Sequence, residues 1–143
     1  PPDGYCPEEG TLFDGETQTC RAVCPFKLGL LLDVSLSKSV GVAFAMALRD
    51  VNRRDGTVVA AALGGGLAQD LTLLVHDTSG LDLPSIIESV DMWASSGVVG
   101  ILGPAWSSLA GSVSLLAGSR DIPVLSHWAT ATALSDKAIY SFF

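Results

Sequence analysis

Four short apolar runs, separated by longer segments of different texture, constrain the fold of this chain most strongly. The runs are FKLGLLLDV, LTLLVHD, VVGIL and IPVLS. Each is bounded by residues that favour turns or helix starts. A continuous apolar run of this kind is typical of a strand buried on both faces of a sheet.

The segments between these runs carry apolar residues at helical spacing. Steps of three and four residues place such side chains on one face of a helix. The faces are Val40, Phe44, Leu48 and Val51 in a helix over 37–54, then Ile86 or Ile87, Val90 and Trp93 after Pro84, then Leu109, Val113 and Leu116 over 107–121. The strand–helix alternation predicts an α/β fold, a parallel sheet with helices on both faces.

Size and charge narrow the classes of function. The chain has 143 residues, which suits one modest domain, and its formal net charge is −7 with eight Lys and Arg. A nucleic-acid partner is not expected, because phosphate binding requires a basic face.

The sequence does not begin with Met and ends at Ser141-Phe142-Phe143, so we expect a fragment of a longer protein. Residues 92–119 carry no charge, yet Pro104 and scattered glycines and serines argue against a membrane span.

All three cysteines, Cys6, Cys20 and Cys24, lie in the first 24 residues, among turn formers. This density predicts a disulfide-stapled module over 1–25 in an oxidising compartment, distinct from the body over 26–143. Zinc is the alternative, but the spacing C-x13-C-x3-C lacks paired CxxC and a nearby His. An odd count implies a partner cysteine upstream.

The segment TVVAAALGGGLAQD, which follows the first helix, is predicted to be a loop or insertion.

Candidate ligand-binding residues lie where each strand ends, because open parallel sheets bind ligands beyond the carboxyl ends of their strands. Four loops occupy that edge and are rich in hydroxyls and small residues. They contain Asp33, Ser35 and Ser37; Asp77, Thr78 and Ser79; Trp106, Ser107 and Ser108; and Trp128, Ala129, Thr130, Ala131 and Thr132. Such a surface suits a small polar ligand.

Ser107 and Ser108 open the third helix, and two interpretations of them remain. One of the hydroxyls caps the helix, as serine often does. Alternatively, the same hydroxyls and the free amides of the first turn receive an anion.

Catalysis is not supported by the sequence, and no cofactor or metal is expected. The GxSxG motif of hydrolases is absent, and no GK[ST] follows the glycine run. His76 and His127 stand alone at strand ends, where a structural hydrogen bond is the more common role. We therefore expect no enzyme.

The order of residues in the second half resembles the receptor family ligand-binding region, the type I periplasmic-binding-protein fold of class C G-protein-coupled and natriuretic-peptide receptors. The motifs are GP-small-Ser-Ser, IPxxS, a small-and-hydroxyl loop, LSD and an aromatic pair. They stand here at Gly103-Pro104, Ser107-Ser108, Ile122-Pro123, Ser126, Ala129-Thr130, Leu134-Ser135-Asp136 and Phe142-Phe143. The helix AFAMALRDVNRRDG and the strand LLVHDTSGLD also resemble the family. The cysteine segment resembles the end of an ephrin-receptor-like or growth-factor-like module.

This resemblance implies specific roles for the loop residues. Ser107 is expected to donate its hydroxyl to the carboxylate of an amino acid, and Thr130 its hydroxyl and backbone amide, while Ser108 caps the helix. Trp106 and Trp128 depart from the family pattern. They are expected either to stack on the ligand or to pack within the cleft or against the lobe.

The resemblance also implies an architecture larger than this chain. The expected protein is the ectodomain of a class C-type membrane receptor, outside the cell, that senses a small carboxylate by closing a second lobe over it. The chain covers the first half of lobe 1, so its partners are the second lobe, a transmembrane region and, in a receptor dimer, a second copy. A receptor guanylyl cyclase ectodomain that binds a peptide, or a solute-binding protein, is the alternative.

Overall fold

The structure, a computed structural model, describes residues 11–14, 19–22, 26–36, 38–53 and 70–143. Two short strands, β1 (Thr11–Asp14) and β2 (Thr19–Ala22), pair antiparallel near the start of the chain. The three cysteine side chains and the glycine-rich loop after the first helix lie outside the described residues. The predictions about them therefore stay predictions.

A four-stranded parallel sheet forms the centre of the fold and confirms the predicted α/β class. Its strands are β3 (Phe26–Leu32), β4 (Leu71–Asp77), β5 (Val98–Leu102) and β6 (Val124–Leu125), in the order β4-β3-β5-β6. The pairs Leu32↔Asp77 and Leu102↔Leu125 align the carboxyl ends of the strands at one edge. The four crossover loops predicted to bind ligand therefore leave the sheet side by side.

Two helices, α2 (Leu83–Ser95) and α3 (Ser107–Gly118), pack together on one face of the sheet. Their apolar stripes and the strands beneath form the core, in which the side chains with at most 1% exposure include Leu31, Ile86, Val90, Ile101 and Val113. Full burial of such a side chain contributes roughly 1.5–3 kcal/mol. This layer therefore supplies most of the apolar stabilisation of the described residues. It also decides between Ile86 and Ile87, because Ile87 is exposed.

The helix α1 (Lys38–Asn52) covers part of the opposite face. Leu32 points away from its neighbour Leu31 and lies against Gly41 of α1. The α1 helix ends at Asn52, whose side chain forms two hydrogen bonds with the backbone of Leu71. These two bonds connect the end of α1 to the first residue of β4.

Much of this second face is apolar and open. The side chains of Val75, Val99 and Leu125 are 59%, 48% and 69% exposed. A hollow of about 520 Å³ lies over β5 and β6, bordered by Phe142 and Phe143. In the described part of the chain, no helix is both long enough and apolar enough to cross a membrane.

Candidate functional site

The loop after β3 is organised by the carboxylate of Asp33, which is only 4% exposed. Its Oδ1 accepts hydrogen bonds from the Ser35 amide at 3.1 Å, the Ser35 hydroxyl at 2.6 Å and the Leu36 amide at 3.1 Å. Its Oδ2 accepts the indole N–H of Trp106 at 3.3 Å. Asp33 therefore ties the first crossover loop to the third.

A second aspartate joins the first two loops. Oδ1 of Asp77 accepts the amide of Val34 at 3.1 Å and that of Ser79 at 2.9 Å. The amide of Thr78 donates to the carbonyl of Leu32. The ends of β3 and β4 are thus held together by side-chain and backbone bonds.

These bonds stabilise both carboxylates in their ionised form. For Asp33, the hydrogen bond from the Ser35 hydroxyl lowers the pKa most, burial opposes it, and the bonds from Trp106 and two amides lower it further. For Asp77, the amide of Val34 is the largest cause of a lowered pKa, followed by the amide of Ser79. Both carboxyl groups therefore remain charged in the folded protein at pH values where free aspartate begins to protonate.

We expect this edge to lose stability in acid. A folded-state pKa below the unfolded value of about 3.9 contributes stability that is complete above that value and is lost as the pH falls through the folded-state pKa. Urea unfolding between pH 7 and pH 2 should show that the free energy of unfolding declines as the pH falls below about 4. The decline should be shallower in Asp33→Asn/Asp77→Asn. The control Glu88→Gln, at an exposed side chain without a hydrogen bond to the described residues, should follow the wild type. Parallel curves for all three proteins would contradict this assignment.

Ser126 shapes the loop after β6 with a fully used hydroxyl. It donates to the carbonyl of Pro104 at 2.7 Å and accepts the amides of Trp128 at 3.2 Å and Ala129 at 2.9 Å. A serine hydroxyl offers one donor and two acceptor positions, and here all three are occupied. Ser126 is therefore a structural link between the third and fourth loops.

Ser107 makes a similar link but leaves one capacity unused. Its Oγ accepts the amide of Thr130 at 3.1 Å and that of Ala131 at 3.2 Å. Both acceptor positions are then filled, and no acceptor for its own proton lies among the described residues. The structure thus brings together Ser107 and Thr130, as the sequence predicted, and gives Ser107 a hydroxyl that can only donate.

Two details differ from the expectations. The Thr130 amide donates its hydrogen bond to the Ser107 hydroxyl. It is therefore not available to a ligand, whereas the resemblance implied that it would be. The helix cap is also different: Trp106 is the N-cap of α3 and provides no side-chain cap bond. The prediction that Ser108 caps the helix is therefore wrong, because its exposed hydroxyl bonds none of the described residues.

The first turn of α3 consequently keeps unpaired amides. The first backbone bond of the helix runs from Ala110 to the carbonyl of Trp106, and the amides of Ser107, Ser108 and Leu109 have no acceptor among the described residues. Unpaired amides at a helix start, with the positive end of the helix dipole, favour a negative charge.

A cavity of about 260 Å³ opens beside this turn. It is lined by Asp33, Leu36, Ala105, Trp106 and Trp128. Neither indole is buried, since Trp106 is 44% and Trp128 65% exposed. Both tryptophans therefore border this open space and neither is a core residue of the described part of the chain.

The two histidines have structural surroundings. The ring nitrogens of His76 lie 3.2 Å from the Ser85 hydroxyl and 2.8 Å from the Ser89 hydroxyl of α2. The ring of His127 meets that of Phe44 edge to face at 6.0 Å between centroids. Within the residues described, no three His, Cys, Asp or Glu side chains cluster as metal ligands.

Sequence reasoning missed the cavity and placed Ser126 only in a family motif. Asp33 was noted as a loop residue, whereas its contact with Trp106 joins positions 73 residues apart. The family motif IPxxS, which contains Ser126, was the one sequence pattern that could have indicated the role of this serine. Leu36 and Ala105 carry no chemical signal at all.

Comparison with known proteins assigns this α/β chain to a family. The sequence model of the receptor family ligand-binding region matches residues 39–143. The chain belongs to that family. No curated protein matches the chain.

Two solved structures share the fold. A putative branched-chain amino acid ABC transporter protein from Rhodospirillum rubrum is 21% identical, with a TM-score of 0.57 over 76% of this chain and 30% of that one. LivJ, the branched-chain amino acid transporter substrate-binding protein from Streptococcus pneumoniae, solved with isoleucine, is 21% identical, with a TM-score of 0.53 over 82% of this chain and 32% of that one. This chain therefore spans about a third of the length of either protein.

Proposed function

We propose that this chain is part of the extracellular ligand-binding region of a class C-type G-protein-coupled receptor-like membrane receptor, which senses a small ligand bearing a carboxylate, such as an amino acid. The observation that carries the proposal is the Ser107 hydroxyl. Two backbone amides occupy its acceptor positions, so its proton is available for an acceptor from outside the described residues.

The neighbouring groups suit a carboxylate. The amides of Ser107 and Ser108 are unpaired in the described chain, and Thr130 places a further hydroxyl on the adjacent loop. The α3 helix has 12 residues, so the positive end of its dipole adds to the attraction at this point. Hydrogen bonds from donors to a charged carboxylate are about twice as strong as those between neutral groups.

The negative charges of Asp33 and Asp77, on the other two loops, would repel a carboxylate. In the proposed arrangement the ligand anion binds at Ser107 and Thr130, and its remaining part extends over the cavity between the indoles. Trp106 separates the two regions, since its backbone precedes Ser107 and its indole donates to Asp33. The ligand is therefore better described as a zwitterion than as a dianion.

The rest of the binding region is proposed to lie outside this chain. The matched part of this chain covers only 30% and 32% of the two related structures, and the apolar face over Val99 and Leu125 is open here. We infer that further elements of the same lobe cover that face. A second lobe would then close on the loop edge and convert binding into a signal.

A solute-binding protein is the second candidate, and the solved structures favour it, because both belong to amino acid transport. The loop chemistry proposed here is the same for either protein. The sequence downstream of residue 143 separates them: a receptor continues into membrane spans, whereas a solute-binding protein ends after its second lobe.

The test compares amino acids with the matching amides, which keep the size of the ligand and remove its negative charge. Calorimetric titration of the full-length protein with a panel that includes isoleucine and γ-aminobutyrate should find a carboxylate ligand. The amide of that ligand should bind at least tenfold more weakly, as expected when a charge-assisted bond is lost. Equal binding of acid and amide, or no binding of any carboxylate, would contradict the proposal.

A further inference from the structure

The cavity beside the proposed carboxylate site has an unusual combination of walls. Two partly exposed indoles, Trp106 and Trp128, border it together with the aliphatic side chains of Leu36 and Ala105. The carboxylate of Asp33 is the one charged group of this lining. Aromatic faces with a nearby negative charge attract cations, because the ring faces are themselves electron-rich.

The charge of Asp33 has no cationic partner in the described chain. No Lys, Arg or His nitrogen of the described residues lies within 4.0 Å of its oxygens. Its neighbours are hydrogen-bond donors that leave the net charge in place: Ser35, Leu36 and Trp106. A neutral apolar group in the cavity would leave this charge uncompensated, whereas a cation would balance it.

The hydrogen-bonding capacity of the cavity selects among cations. Oδ1 of Asp33 already accepts three bonds, and Oδ2 accepts one from Trp106. A primary ammonium or a guanidinium carries several N–H donors, for which these walls offer few acceptors. An alkylated ammonium has few or no N–H groups and presents methyl groups to the indoles.

The size of the cavity agrees with a small group. Pockets that enclose a whole drug-sized ligand have volumes of about 300–1,000 Å³. The cavity here has about 260 Å³ and adjoins the Ser107 turn through Trp106. It therefore suits one end of a small ligand whose other end is bound at the turn.

We propose that the Trp106–Trp128 cavity binds an N-alkylated ammonium group, so that the ligand of this protein is a small zwitterion of the betaine class. This inference rests on the proposed carboxylate site, which holds the other end of the same molecule. Asp33 balances the charge of the ammonium, and the two indoles supply the faces on which its methyl groups lie.

The test uses two probes of the same shape. Glycine betaine has a trimethylammonium group, and 3,3-dimethylbutanoate replaces its nitrogen with carbon and so removes the positive charge. In calorimetric titrations of the full-length protein at pH 7, betaine should bind at least tenfold more tightly than 3,3-dimethylbutanoate, whose tert-butyl end is uncharged. Asp33→Asn, which keeps the side-chain shape, should reduce this preference to about threefold or less.

A second pair of variants keeps the test independent of the folding of Asp33→Asn. Trp128 is exposed enough to be replaced without disturbing the core: Trp128→Leu should weaken betaine binding about tenfold, and Trp128→Phe, which retains an aromatic face, less than threefold. Equal binding of the two probes, no effect of Trp128→Leu, or no binding of either probe while amino acids of the panel bind, would overturn this inference and leave the carboxylate site standing. If no carboxylate of any kind binds, both proposals fall.

Discussion

Replacing Gly103 with alanine is expected to destabilise the protein by roughly 2–5 kcal/mol. Gly103 has a φ of +88°, in the left-handed region that costs a residue with a Cβ about 1–2 kcal/mol. A Cβ at this position would also overlap the backbone carbonyl oxygen of Leu31. Crowding of this kind adds roughly 1–3 kcal/mol, because a strand carbonyl cannot turn aside.

The consequence extends to the loops that we propose bind the ligand. The amide of Gly103 donates to the carbonyl of Leu125 at 2.8 Å, so this residue joins the ends of β5 and β6. Movement of Gly103 away from Leu31 would shift Ser107, four residues later, relative to Thr130. Ligand affinity should therefore fall together with stability.

A matched control is available two strand positions from the end of β5. A Cβ at Gly100 would lie 3.4 Å from Leu28 Cδ2, an ordinary contact, and its backbone is not left-handed. Gly100→Ala should leave the free energy of unfolding unchanged or raise it by about 0.5–1 kcal/mol. Urea unfolding of both variants measures the difference; similar midpoints for the two would contradict the account of Gly103.

The strands and helices were the part of the fold that local sequence predicts best. The strands over 71–77 and 98–102 have the predicted bounds, because a buried apolar run ends where polar or turn-forming residues begin. The predicted strand 122–126 is shorter, at Val124–Leu125, since Pro123 cannot donate a ladder bond. The predicted face of α2 is buried, and packing distinguished Ile86 from Ile87. In α3 Leu109 and Val113 are buried and Leu116 is half-buried, whereas the predicted face of α1 is only half-buried.

The hydrogen bonds of the loops were less accessible to sequence reasoning. Serine before a helix predicts a cap, but the hydroxyl of Ser107 accepts amides from a loop that lies 23 and 24 positions later. The choice between these acceptor roles depends on where β6 places that loop, which no local pattern encodes. The contact between Trp106 and Asp33 is of the same kind.

The family resemblance supplied what local patterns could not. It paired Ser107 with Thr130 before any geometry was considered, and the structure confirms that their loops meet. It did not predict that the Thr130 amide would already be engaged, nor that Trp106 and Trp128 would border a cavity. Both features arise where this chain departs from the family pattern, at the two tryptophans, or where the loop satisfies its own backbone.

Ser107→Ala is expected to weaken binding of the carboxylate ligand at least tenfold. The variant removes a hydroxyl donor that none of the described residues uses, and it leaves the amides of Thr130 and Ala131 without their acceptor. Loss of a hydrogen bond to a charged group costs about 1.5–3 kcal/mol, which corresponds to a tenfold to hundredfold change in affinity.

Ser126→Ala is the matched control for disturbance of the loop. Ser126 also accepts two amides of the same segment, those of Trp128 and Ala129, but its proton is used by Pro104. The two variants should therefore destabilise the fold by similar amounts, about 1–3 kcal/mol, through backbone groups left unpaired. Only Ser107→Ala removes a donor that the proposed ligand would use.

The most direct measurement is the ratio of affinities for the carboxylate ligand and its amide, determined by calorimetry for the wild type, Ser107→Ala and Ser126→Ala. If the free hydroxyl of Ser107 binds the carboxylate, the preference for the acid should fall to about threefold or less in Ser107→Ala. In Ser126→Ala both affinities should decline together and the preference should persist. An unchanged preference in Ser107→Ala would show that the negative group binds elsewhere and would contradict the account.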